Sequence, residues 1–265
     1  MYYTNLEHFK ELSGYEIDGI WYPRVTKIVE IKAKPALYKF YAELNSFEEG
    51  ELIKEKAASE GTLIHEAAEK IFIGESPEID PSIAPSIEAF RKFIEIKNIQ
   101  VDPEYIEKQI VNYDDRYAGT LDALALIDGK FGVLDIKTSQ AIYRDYNLQT
   151  SAYMAALQSN FNNLQTRWIL RIDQNRICLK CGSILRSKGG RDKIRIPKIS
   201  AQGGFVSGGQ NGVDYEKCEH NWSEIKGEVE LKEFPYWQED YKAFLGAKKL
   251  WEWENKYWLK QANFL

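Results

Sequence analysis

Apolar positions in the first hundred residues recur mainly at helical spacing. Leu37, Phe40, Tyr41 and Leu44 form one run, and after an interruption at Gly50 the pattern resumes with Leu52, Ile53 and Ala57. This predicts two short helices or one broken helix between Ala36 and Gly61. Pro35 can sit at the start of the first, where its missing N–H leaves no bond unmade. After Gly61 a further helix is expected to open, with Thr62 as its cap, His65 in its first turn, and Ile64, Ala68, Ile71 and Phe72 as an apolar stripe. A Pro-containing loop, Ser76 to Pro85, precedes a third helical stretch marked by Ile87, Phe90, Phe93 and Ile94. Residues 1 to 35 are mixed, with a β-prone stretch from Trp21 to Val25.

The period then shortens to two. Tyr105 to Tyr113 reads as a strand, with Ile106, Lys108 and Ile110 on one side and Tyr105, Glu107, Gln109 and Val111 on the other. It is expected to add to the hairpin that follows, in which β-rich runs from Tyr117 to Ile127 and from Lys130 to Lys137 flank the turn-forming Asp128-Gly129. That turn sets Ile127 opposite Lys130. Counting outwards then sets Asp122 opposite Asp135, with Cβ atoms roughly 4.5 to 5.5 Å apart. Downstream, Asp145 to Asn160 predicts an amphipathic helix with Gln149 and Tyr153 on one face, and Thr166 to Asp173 a strand buried on both sides. Ile225 to Phe234 predicts a strand, and Trp237 to Lys260 a helix whose Trp237, Tyr241, Phe244, Trp251 and Trp258 read as core packing.

The paired aspartates carry the first chemical signal. Like charges in register repel unless a cation lies between them, and Mg²⁺ or Mn²⁺ is held by oxygen donors of this kind. Lys137 shares the face of Asp135, while Leu134 and Ile136 turn to the other side. The plainer reading is a solvated face carrying an ordinary Asp and Lys. Gln149 and Tyr153 could contact bases, phosphates or a metal-bound water, or form an ordinary polar helix face. Glu107 could equally be an exposed edge-strand glutamate.

With 265 residues, 44% of them hydrophobic, the chain is long enough for a sizeable core, and no apolar run approaches membrane-spanning length. The segment around Glu7, His8 and Lys10 is not a signal peptide, so a cytoplasmic protein without membrane contact is expected. The net charge of −5 excludes a uniformly basic surface but leaves room for local basic patches.

One such patch lies where composition shifts, between Asn175 and Trp222. From Arg176 to Lys198 there are eight Lys or Arg residues, among them Lys180, Arg186, Lys188 and Arg191, against the single acid Asp192. The patch can neutralise phosphates or can be a solvated loop. The same stretch holds all three cysteines: Cys178-Leu179-Lys180-Cys181-Gly182 resembles a zinc knuckle, and Cys218-Glu219-His220 offers two more ligands, a Cys₃His set. Free thiols are the alternative, and a redox Cys-x-x-Cys lacks its usual strand and helix surroundings. Ser200 to Asn211, rich in Gly and Ser, is expected to be flexible.

Four short motifs in order, Gly61-Thr62-Leu63-Ile64-His65, Gly119-Thr120-Leu121-Asp122, Asp135-Ile136-Lys137-Thr138 and Gln149-Thr150-Ser151-Ala152-Tyr153, resemble those of RecB-type nucleases of the PD-(D/E)xK superfamily. Val25-Thr26 with Lys34-Pro35-Ala36-Leu37 is similar to the upstream segment of phage and mitochondrial genome-maintenance exonucleases of that group. The resemblance implies an α/β restriction-endonuclease-like core, a mixed central sheet flanked by helices, with a zinc-knuckle-like insertion at 175–222 and the nuclease domain formed by 1–174 and 223–265. It implies Mg²⁺- or Mn²⁺-dependent hydrolysis of DNA, as an exonuclease on ends or single strands. A structure-directed endonuclease, or a DNA-binding adaptor that no longer cuts, is the alternative. By the same resemblance Asp122, Asp135 and His65 bind the metal, Lys137 orients or activates water, and Glu107 occupies a commonly acidic position. Gln149, Tyr153 and Thr138, with Lys180, Arg186, Lys188 and Arg191 of the basic stretch, are then substrate contacts. Related helicase-linked members often hold an iron–sulfur cluster with one upstream cysteine; this chain has none upstream, so zinc is expected and a cluster is not. A protein partner can also be read into the insertion.

Overall fold

The structure, a computed structural model, describes residues 3–196 and 217–265. Lys198 and the glycine-rich stretch from Ser200 to Asn211, expected to be flexible, lie outside the described residues.

The chain begins with α1 (Leu6–Ser13), capped by the Asn5 side chain, which accepts from His8 N at 2.8 Å. A hairpin of β1 (Gly14–Ile17) and β2 (Ile20–Pro23) and the short helix α2 (Val25–Val29) follow. Next come α3 (Pro35–Ala42), with proline in its first turn as expected, and α4 (Phe47–Phe72). The helix breaks fall elsewhere than the sequence suggests. Ser46 is the cap of α4, accepting from Glu49 N at 3.1 Å, and the helix runs unbroken through Gly50 and Gly61. Thr62 is therefore no cap: its hydroxyl donates to Ala58 O in mid-helix, and His65 stands deep in α4. These glycines serve close approach instead, since a Cβ at Gly50 would lie 2.5 Å from the Tyr41 ring and one at Gly61 2.9 Å from Thr138 Oγ1.

After α5 (Ala84–Lys97) come β3 (Gln100–Val101), β4 (Lys108–Asn112), β5 (Tyr117–Leu121), β6 (Ala123–Ile127) and β7 (Lys130–Lys137). Then follow α6 (Tyr146–Leu157), β8 (Thr166–Ile177), β9 (Ile184–Lys188), β10 (Arg191–Arg195), β11 (Lys226–Glu233), α7 (Gln238–Glu254) and α8 (Lys256–Gln261). The result is an α/β fold with a mixed central sheet flanked by helices. Among the described residues the sheet runs β10-β9-β8-β7-β6-β3, with β11 also paired to β8. Among the strands of the described residues only β7 and β8 form a parallel ladder, joined through α6.

The hairpin register is as the turn dictates, Ile127 against Lys130 and Ala123 against Leu134, with Asp128 and Gly129 both at positive φ. The first run, however, is bent at Asp122 into β5 and β6. Consequently β4 pairs with β5, not with the β6–β7 hairpin, and the edge next to β6 is taken by β3. The basic stretch also differs from a separate loop, because β9 and β10 continue the sheet from the far end of β8.

The sheet divides two apolar clusters. Leu124 and Val133 face a cluster with α1, α2, α6, α7 and α8, where Phe9, Phe244 and Trp251 are buried and the C-terminal aromatics pack as expected. Ala123, Ala125, Leu134, Ile136, Leu170 and Ile172 face α4 and α5. Among the described residues no helix is long and apolar enough to cross a membrane.

Candidate metal centre and basic cleft

Two antiparallel ladders meet at Asp122. The β4–β5 ladder ends at Lys108 opposite Leu121, and the β6–β7 ladder begins at Ala123 opposite Leu134. Asp122, in the bend between them, pairs in neither; its Oδ2 accepts from Ile136 N at 2.5 Å, which aims the carboxylate at the end of β7. Glu107, just before β4, takes φ +48 and donates its backbone N–H to Asp122 O at 3.2 Å. This left-handed backbone is strained for a glutamate. It sets the Glu107 carboxylate within 4.8 Å of ligand atoms of both Asp122 and His65, the latter presented by α4.

Asp135 completes the acidic side. It is wholly buried, and Lys137 Nζ forms an ion pair with its Oδ2 at 2.6 Å; both carboxylate oxygens are otherwise without a donor among the described residues. Burial, opposed by Lys137 and reinforced by Asp122, raises the Asp135 carboxyl above the usual carboxylate range. Asp122 is likewise raised by burial. Glu107 stands at the rim and is exposed as a whole residue, but desolvation of its carboxyl, then the charges of Asp122 and Glu69, push it up to about 8. Glu69, one helical turn beyond His65, is raised by burial and by Asp122. Four carboxyls thus crowd one spot, and each resists ionisation until positive charge arrives.

The neighbours have matching properties. Burial, then Lys137, lower the His65 imidazole to about 4, so it is neutral and free to ligate at neutral pH. Burial works against the charge on Lys137, yet Asp135 and Asp122 raise it above the ordinary lysine value. It is therefore a fixed cation, lying 5.2 Å from the centre of the Tyr146 ring. On the other side of Thr138 the cleft turns basic. Arg186 Nη2 and Lys188 Nζ donate to Thr138 O at 3.0 and 2.5 Å, and both line the cleft beside His65 and Lys137. Burial, then Arg186, lower Lys188 to about 8.

The structure brings His65, Glu107, Asp122, Asp135, Lys137 and Thr138 together, with Arg186 and Lys188 beside them. The remaining residues relate to this group in different ways. Gln149 Nε2 donates to the Tyr153 hydroxyl at 2.9 Å, but Tyr153 is only 2% exposed, its ring beneath Gly119, where a Cβ would approach to 2.5 Å. Such a tyrosine braces β5 against α6, and its buried hydroxyl, raised by burial and by the charges of Asp135 and Asp122, lies beneath the acidic centre. Arg191 pairs with Glu43 at 2.9 Å and covers the Phe40 ring, and with Arg186, Lys188 and Lys193 it lines an adjoining groove. Arg186 also binds Asp173 at 2.7 Å, so part of the basic patch is neutralised internally. Lys180 is exposed on the cysteine turn. Glu69 is the residue that sequence reasoning missed; its signal was the four-residue spacing from His65 on one helix face.

Cys178, Cys181, Cys218 and His220 form a second group, whose ligand atoms all lie within 4.8 Å of one another. No protein-family model matches the chain, and no curated protein matches it.

Proposed function

We propose that the cleft is the active centre of a metal-dependent deoxyribonuclease, an exonuclease acting on DNA ends or single strands, as the resemblance to RecB-type PD-(D/E)xK nucleases implies. One observation carries the reading: Asp135 is buried with both oxygens short of donors beside the fixed cation Lys137, within the influence of Asp122 and His65, which with Glu107 offer ligand atoms within 4.8 Å of one another. A binding surface has no use for such repulsion, whereas a divalent cation relieves it. The donor set of oxygens and one imidazole fits Mg²⁺ or Mn²⁺.

His65, Glu107, Asp122 and Asp135 would hold the ion, which supplies a Lewis acid and an acidified water for attack on phosphorus. Lys137 keeps its proton and orients the attacking water, and its charge opposes the negative charge that develops on the phosphoryl oxygens. Being held protonated, it is not the general base. Lys188 and Arg186 place further positive charge where the flanking phosphates would run. The order of β6, β7, α6 and β8 agrees with a restriction-endonuclease-like core.

The test is incubation of end-labelled linear single- and double-stranded DNA, and of circular DNA, with Mg²⁺, Mn²⁺ or EDTA. Metal-dependent shortening of linear but not circular DNA is expected. Cutting of circles would assign an endonuclease, and binding without cutting in either metal would leave a DNA-binding adaptor.

A further inference from the structure

The cysteine and histidine group lies at the end of β8, away from the acidic centre. Cys178 follows Ile177 directly, and its backbone N–H donates to Ser183 O at 2.8 Å, while Gly182 N–H donates to Cys178 O at 2.8 Å, folding the Cys-x-x-Cys segment into a tight turn. Gly182 takes φ +76, which the turn requires. The second ligand segment is strapped beside the first: Leu179 N–H donates to Asn221 O at 2.8 Å, and Cys178 bridges antiparallel to Trp222.

The separations discriminate between chemistries. Cys178 Sγ and Cys218 Sγ are 3.9 Å apart, and Cys181 Sγ and His220 Nδ1 are 3.4 Å apart. A disulfide would bring sulfurs to about 2.05 Å. Four ligands at Zn–S about 2.3 Å and Zn–N about 2.05 Å on a tetrahedron would instead stand about 3.8 Å (S to S) and about 3.6 Å (S to N) apart. The observed spacings match a single tetrahedral ion. An iron–sulfur core, built of several irons, would hold its ligands around a wider centre and favours four thiolates.

We infer that Cys178, Cys181, Cys218 and His220 bind one structural Zn²⁺, and that this ion clamps the base of the β9–β10 hairpin so that Arg186 and Lys188 are held at the cleft. β9 starts three residues after Cys181 and, among the described residues, pairs with β8 only at Arg176 and Ile177. The hairpin is also held by Arg186 to Asp173 and by Gly189 N–H to Glu60, and holding Cys178 beside Cys218 adds the constraint at its base. At its other end Arg186 and Lys188 meet Thr138, the residue after Lys137.

The test is metal analysis of the purified full chain, prepared without added zinc or a metal-affinity tag, by inductively coupled plasma mass spectrometry. About one zinc per chain is expected in the wild type, lost in Cys178→Ser and Cys181→Ser and retained in His220→Cys, which exchanges one zinc ligand for another. Hydrogen exchange of zinc-stripped wild-type protein should show protection lost in residues 178–195 and kept in β6 and β7. A wild-type protein without zinc, or one with iron and visible absorbance, overturns the assignment; so does zinc retained in Cys178→Ser. Unchanged exchange in β9 and β10 after stripping overturns the clamp. None of these readouts depends on whether the cleft cuts DNA.

Discussion

At the scale of single residues, the acidic cluster makes stability depend on pH in a direction that can be worked out. Glu107 is raised from an ordinary 4.5 to about 8, and Asp122, Asp135 and Glu69 are raised as well. A raised carboxyl means that the folded state holds protons the unfolded chain has released. Its contribution is complete below the unfolded pKa and is lost as pH rises through the folded one. In EDTA the Tm should therefore fall as pH goes from about 5 to about 8, and Glu107→Gln, which cannot ionise, should flatten the fall. Millimolar Mg²⁺ should flatten it too. Parallel wild-type and Glu107→Gln curves in EDTA would remove Glu107 from the cluster. Asp122, Asp135 and Lys137 were legible because alternation in a strand is simple arithmetic from the Asp128-Gly129 turn. Glu69 was not, because reading Gly61 as a helix start set attention on one turn instead of the whole face of α4.

At the scale of elements, glycines do more to place the site than helix propensity suggests. Gly61 lets α4 lie on Thr138, and Gly227 in β11 lets α5 lie on the sheet, where a Cβ would come within 2.0 Å of Pro85 O. Backbone cannot yield as a side-chain tip does, so Gly227→Ala should destabilise by about 1–3 kcal/mol, read from chemical denaturation. Gly61→Val should displace His65 from Asp122. Single-turnover cleavage should then drop by about 10- to 100-fold, with Gly61→Ala affected less because the Thr138 hydroxyl can turn aside. A Gly61→Val protein with wild-type rates would separate α4 from the centre. Glycine in a sequence marks a helix end or a close contact alike, and only the partner, here Tyr41 or Thr138, tells which.

At the scale of the whole molecule, an acidic chain presents a basic face at one place. The segment rich in Lys, Arg and Gly reads from composition as an inserted loop, yet Ile184–Lys188 and Arg191–Arg195 pair as strands and continue the sheet. Alternating charges there hide the period of two, although both partner strands, β8 and β10, adjoin β9 in the chain. Among these cations Lys193 is exposed and lines the groove that adjoins the cleft. DNA affinity should fall linearly in log K against log salt, and Lys193→Ala should reduce the slope by about 1. Fluorescence anisotropy in Ca²⁺ checks this without cleavage; an unchanged slope would move the DNA path off the hairpin. The mixed sheet was expected from the resemblance and the two-sided burial of β8 from its apolar run, whereas the bend at Asp122 was not legible, since both halves of that run have the same alternating pattern.

The central claim is that Asp135 and Lys137 work together on a phosphodiester. Its most direct test is the single-turnover cleavage rate of linear DNA in Mg²⁺ by the wild type, Asp135→Ala and Lys137→Ala, each shown to be folded by circular dichroism. The expected result is metal-dependent cleavage by the wild type and a loss of at least about 10²-fold in both variants. Cleavage at the wild-type rate by either variant would contradict it.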